Sequence, residues 1–341
     1  MRLLALALIL FALNVKAENP KLFLKNIPIK NNLIIGVDLE AIMALQSKFE
    51  IDEADDQIDS FKSFVGVEPS ELSALLIAGS GDFANPKNES GFVILKGNST
   101  LHAEKVLHST LKNKTDLKAR ETKFNNHPVY LIEAPQVVAD GAPQAVPMKD
   151  MYLSSLSDDT LIVGGARALK EVLSTVKFDK MLSVTSSSKM MKIMDDKPAL
   201  LFIAFSFDNF LSTTAGQALA LSPVAQGIDL ESLTGLMFNA DYNKEAGLKL
   251  SLDVNFFSID ARKAFESKMK QLRNQQKEMI QHGTLEISGG SNKLTVTYAL
   301  KDDELTKMIS SIRNQIAGVV PDADSEEILE EDDLDIPEEI E

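Results

Sequence analysis

The sequence predicts an α+β fold built by internal duplication, with two antiparallel sheets each covered by amphipathic helices. Three observations predict it. Leu248, Leu250, Leu252, Val254 and Phe256 alternate with Lys249, Ser251, Asp253 and Asn255, and a period of two with one apolar side marks an antiparallel strand that buries one face and wets the other. Ala103, Val106, Leu107, Thr110 and Leu111 fall at i, i+3, i+4, i+7 and i+8, the apolar stripe of a helix lying on such a sheet. The order strand, helix, strand, strand, helix, hairpin, helix then runs twice, over 32–180 and over 198–317.

The chain opens on Met1-Arg2, an apolar run from Leu3 to Leu13, and Val15-Lys16-Ala17. A positive start, a short apolar core and a small-residue end read as a secretory signal peptide over 1–17. The run is shorter than the ~20 apolar residues of a spanning helix. The expected location is therefore periplasmic or secreted, and soluble. Residues 18–31 read as a loose leader.

Leu33-Ile-Ile-Gly-Val37 is a short apolar strand, followed by a helix near 38–49 with Leu39, Ile42, Met43 and Leu45 on one side and an acidic helical stretch near 53–64. Ala74–Ala78 and Phe92–Leu95 are continuous apolar runs of strand length between Gly, Asn and Ser. A hairpin turns at Asn125–Pro128, and 134–150 is a loop rich in Ala, Pro and Gln. Tyr152–Leu156, a Ser-Asp-Asp turn and Thr160–Val163 make a second hairpin, and Ala168, Leu169, Val172, Leu173 and Val176 form the next helix. Residues 181–197, rich in Ser, Met and Lys, read as a linker or short connecting helix. In the second half come the strand Ala199–Phe205, a helix carrying Phe210, Leu211, Ala215 and Leu219, the alternating strands 236–242 and 248–256, a helix over 261–280 capped by Asp260, the hairpin 285–300, and a last helix with Leu305, Met308, Ile309, Ile312 and Ile316.

This layout, with the segment Asp159-Thr-Leu-Ile-Val-Gly-Gly-Ala-Arg-Ala-Leu-Lys-Glu-Val-Leu173, resembles exported bacterial proteins of unknown function built from two α+β repeats. The resemblance spans most of residues 33–316 and brings no catalytic residues with it.

Chemical motifs are weak. Gly79-Ser-Gly-Asp-Phe-Ala84 fits G-x-G-x-x-A, but Asn85-Pro86 follows where a dinucleotide site needs a helix to open, so it reads as a turn. Ser186-x-x-Lys189 and Ser267-x-x-Lys270 match the serine–lysine pairing of penicillin-binding folds without its companion motifs. His102, His108, His127 and His282 never take the i, i+4 spacing of a helical metal pair. Met181, Met190, Met191 and Met194 read as packing of a short helix. With no cysteine, there are no disulfides, thiolate metal sites or lipid-anchoring cysteine. No cofactor is expected, and no enzymatic activity.

The net charge is −15, but 12 of the 50 acidic residues lie in 322–341, which has no Lys or Arg. The remaining 38 face 35 basic residues, a balance that argues against a nucleic-acid or anionic-lipid binder, which relies on clustered cations. Residues 318–341 read as a disordered acidic tail. Within it, Ile328, Leu329, Glu330, Glu331, Asp332, Asp333, Leu334 and Ile336 mix apolar and acidic side chains, the composition of a segment that docks on a protein partner. The sequence therefore points to an exported, non-catalytic interaction or structural module. A carrier or chaperone-like binder of an apolar ligand, and a hydrolase with scattered site residues, are the alternatives.

Overall fold

The computed structural model describes residues 20–49, 67–80, 90–97, 101–113, 118–124, 126–133, 150–178, 183–194, 199–207, 210–221, 229–275 and 283–317. Its strands are β1 (Leu33–Asp38), β2 (Leu72–Gly79), β3 (Phe92–Gly97), β4 (Lys118–Phe124), β5 (His127–Glu133), β6 (Met151–Ser157), β7 (Thr160–Gly164), β8 (Leu201–Ser206), β9 (Leu233–Asn243), β10 (Gly247–Phe256), β11 (Thr284–Gly289) and β12 (Lys293–Leu300). Its helices are α1 (Leu39–Phe49), α2 (Ala103–Asn113), α3 (Ala166–Phe178), α4 (Ser188–Ile193), α5 (Thr214–Ala220), α6 (Ile259–Gln275) and α7 (Asp302–Ala317).

The two predicted sheets are one. All 12 strands pair in the order β11-β12-β10-β9-β8-β1-β2-β3-β7-β6-β5-β4. The join is β1 against β8, antiparallel from Leu33↔Phe205 to Val37↔Leu201. Both segments are apolar on both faces, as strands buried at the centre of a sheet are. Pairing them removes two open apolar edges. Internal duplication is not shown. The flanks of the join hold seven and five strands of a single sheet.

Register assigns every strand residue to a face. One face carries α1, α2, α6 and α7, packed through Ile42 and Leu45, Val106 and Leu107, Phe265 and Met269, and Leu305 and Ile309. The opposite face is apolar only over β1–β3, β5–β8 and part of β9. There α3 packs through Leu169, Val172 and Leu173, joined by Val184, Met190, Ile193 and Met194. Over β10–β12 that face is polar, with Lys249, Thr284, Glu286 and Ser288 exposed.

Residues expected to be loose or linking are part of this core. A 3-10 turn over Pro20–Asn26 brings Phe23, Leu24 and Ile27 onto the α3 side. Ser183 donates to the Leu24 carbonyl at 2.8 Å, and the Val184 amide bonds Ile27 O at 2.9 Å. Met190 and Met194 are buried with them. Helix α6 is capped by Ser258, whose Oγ accepts from Ala261 N at 3.2 Å, not by Asp260, which sits in the first turn. Gly36 faces Phe202 across the join so closely that a Cβ there would run into the ring. Gly247, opening β10, has φ +80°, a left-handed conformation that side chains rarely take. The predicted helix at 53–64, the loop 134–149, the signal segment 1–17 and the tail 318–341 lie outside the described residues.

Candidate functional site

Most polar clusters among the described residues are straps between elements. At the β6–β7 turn, Asp159 accepts from Ser157 Oγ at 2.8 Å and Thr160 Oγ1 at 3.0 Å and pairs with Lys96 of β3. The Lys96 ammonium, aided by the two hydroxyls and opposed by burial, holds the Asp159 carboxyl at about 2. The same turn takes the Gly97 amide on Asp159 O at 2.7 Å and the Leu101 amide on Asp158 O at 2.8 Å. Ser155 Oγ then caps α2 at Ala103 N, 2.9 Å away. The Asp159 side chain is 40 % exposed, so solvent screens much of the pairing. Asp159→Asn is expected to lose about 1 kcal/mol of stability at neutral pH. Because the folded carboxyl is depressed, the difference from wild type is full above the ordinary value of 3.8 and vanishes as pH falls through about 2. Urea melts of both proteins across that range check it.

Lys48 ties α1 to α7. It bonds Asp302 and the Tyr242 hydroxyl, and its ammonium lies 4.9 Å from the Tyr242 ring centroid. The Tyr242 hydroxyl lies 3.0 Å from both Asp302 oxygens, and Phe49 meets the Tyr242 ring edge-on at 6.5 Å. The Asp302 carboxylate, chiefly, raises the Lys48 pKa. A lysine acting as nucleophile or base needs the opposite shift, so this cluster is a cationic strap. On the open polar face, buried Asp253 takes Lys293 at 2.5 Å and Thr295 Oγ1 at 2.6 Å across β10 and β12. On α6, Glu266 sits between Arg262 and Lys270, the latter first in lowering its pKa.

The motif residues fall into these roles. Ser186 donates to Ser183 O at 2.7 Å inside its own 3-10 turn, and Lys270 is bound to Glu266. His102 is exposed on the approach to α2, and His108, 3.9 Å from Glu104, is 74 % exposed. His127 opens β5 opposite Phe124. His282, Met181, most of the Gly79–Ala84 turn and the tail residues Ile328, Leu329, Glu330, Glu331, Asp332, Asp333, Leu334 and Ile336 lie outside the described residues. Among the described residues no three His, Asp or Glu side chains are grouped to hold a metal ion, and no helix is long and apolar enough to cross a membrane.

Among the described residues, one apolar row on the sheet lies outside the packed clusters. On the four-helix face, Ile77, Ile35, Ile203 and Phe238 are successive register partners across β2, β1, β8 and β9. Four strands at ~4.8 Å spacing make this row about 14 Å long. Helix α1 packs to one side, on Val37, Leu201 and Tyr242. Helix α6 packs to another, on Phe205, Leu236 and Val254. Among the described residues, the four row residues belong to none of the packed clusters. Ile77 is 37 % exposed and the other three are half-buried. The row is absent from the sequence-level candidates because its members come from four separate strands. Its only trace is that β1, β2 and β8 are apolar on both faces.

The chain matches no protein-family model, no curated protein and no solved structure.

Proposed function

We propose that the protein is an exported, non-catalytic binding module whose working surface is the row Ile77-Ile35-Ile203-Phe238. The observation that carries this reading is the contrast between the row and the polar clusters. The charged groups described above hold elements together or, for Arg262, Glu266 and Lys270, lie along one helix, whereas the row leaves an apolar strip half-covered in the middle of a helix-covered sheet face. An exposed apolar strip framed by packed helices suits an apolar side-chain segment of a partner protein. The acidic tail, with Ile328, Leu329, Leu334 and Ile336 among its carboxylates, supplies a second docking element.

The test places a photo-crosslinking side chain at Ile77 in the exported fraction, in the full chain and in a chain ending at Val320. Capture of the same protein by both chains assigns the contact to the row, and capture by the full chain alone assigns it to the tail. Ile77→Lys is expected to abolish capture and to lower binding of the apolar dye anilinonaphthalene sulfonate while leaving the circular dichroism spectrum unchanged. Equal dye binding by wild type and Ile77→Lys, with neither chain capturing a partner, overturns the reading.

A further inference from the structure

The two ends of the sheet are built differently. One edge is β4, Lys-Ala-Arg-Glu-Thr-Lys-Phe, with a charge at four of its seven positions. Charges on an edge strand, lysine above all, block the addition of another strand. The other edge is β11, Thr-Leu-Glu-Ile-Ser-Gly, with one charge, no proline and no register shift against β12. Among the described residues no strand lies beyond it. Its outer backbone groups form a template for strand addition.

We propose that β11 pairs with β11 of a second copy of this chain, antiparallel about a two-fold axis normal to the sheet, making one continuous sheet across the dimer. The geometry narrows the register. Such an axis keeps the helix-bearing faces of both copies on the same side, so directly opposed residues must share a face. On β11, Leu285, Ile287 and Gly289 lie on the helix face and Thr284, Glu286 and Ser288 on the polar one, as their partners in β12 fix. Four central registers pair three or more residues of the strand, with Leu285, Glu286, Ile287 or Ser288 facing its own copy. Centring on Glu286 sets two carboxylates directly opposite, which is destabilising. Centring on Leu285 keeps only 284–286 paired within the strand, and centring on Ser288 only 287–289. Centring on Ile287 pairs the whole of 285–289. It sets Glu286 against a Ser288 hydroxyl, Leu285 against Gly289, and the two Ile287 side chains against each other. The interface then extends the α6 layer, which already holds Phe265, Met269 and Ile287 in one cluster and leaves Leu272 38 % exposed.

The chain has no cysteine, so an introduced thiol reports only on its own position. Single variants Ile287→Cys, Leu285→Cys and, on the opposite edge, Thr122→Cys are made in the full chain. Each is oxidised or linked with a short bismaleimide. Ile287→Cys is expected to give a covalent dimer as the main species, Leu285→Cys much less, and Thr122→Cys none. Wild type is expected to sediment as a dimer. Ile287→Lys, which sets two ammonium groups face to face, is expected to sediment as a monomer with an unchanged circular dichroism spectrum. A monomeric wild type, or equal linking at 287 and 122, overturns the proposal. So does a thiol at 287 that links only to a different protein, which would make β11 an acceptor for a foreign strand. None of these outcomes depends on the apolar row, so the two readings fail separately.

Discussion

Phe202→Ala is expected to lower the unfolding free energy by about 3–5 kcal/mol, the usual range for emptying a fully buried aromatic site. Phe202 is fully buried on β8, opposite Gly36 on β1 and Asn239 on β9. Its ring fills the space left by the missing side chain of Gly36. Lys21 of the N-terminal turn stands 5.5 Å from the ring centroid. One side chain thus contacts the strand join, the neighbouring flank and the turn that covers them. Gly36→Val attacks the same contact from the other side and displaces the ring, an overpacking penalty of about 1–3 kcal/mol or more. The two changes share one space, so the double variant Gly36→Val/Phe202→Ala is expected to lose less than the sum of the single losses. Urea unfolding followed by far-ultraviolet circular dichroism measures all three, since the chain has no tryptophan to report by fluorescence. Additive losses would mean that the ring and Gly36 do not compete for the same volume.

How much of this was legible depends on how local the signal is. The strand 248–256 reads directly from sequence because its two faces meet different surroundings. Leu248, Leu252 and Val254 lie under helices, whereas Lys249 is exposed. Helices α2 and α3 read equally well, since Val106 and Leu107, and Val172 and Leu173, fall on single buried stripes. The join of β1 to β8 does not read. An apolar run buried on both faces has no period that names its neighbours, so the two halves look like separate sheets. Phe23, Leu24 and Ile27 were illegible for a related reason. They lie in or beside a 3-10 turn, whose spacing gives no amphipathic helix pattern. Ser258 and Asp260 are both good capping residues two positions apart, and only the backbone decides between them.

The candidate surfaces are less legible still, because they are defined by which residues lack neighbours. Nothing in the local sequence of Ile77 or Phe238 distinguishes them from Leu76 or Met237, which are fully buried on the opposite face. The difference is set by which helices land where. The β11 edge is intermediate. Its low charge is visible in sequence, but its place at the end of the sheet follows only from β10 pairing with β12 rather than β11.

Ile27→Asp is expected to destabilise the protein by about 4 kcal/mol or more, through lost apolar burial and an unpaired buried carboxylate together. Ile27 is fully buried among Leu24 and Val184, and its carbonyl accepts from the Val184 amide. Burial among apolar side chains raises the pKa of the introduced carboxyl in the folded state. The charge's share of the loss is therefore full above the raised folded value, shrinks as pH falls through it, and is gone below the ordinary carboxylate value, where the group is neutral in both states. Ile29→Asp, two residues on at a side chain 43 % exposed, is expected to change stability by no more than about 0.5 kcal/mol. The pair separates two descriptions of residues 20–31. A leader hanging from a finished fold would tolerate both changes alike. A segment that completes the core on the α3 side makes the first severe and pH-dependent and the second silent. Thermal melts of the two variants at neutral and mildly acidic pH decide between them.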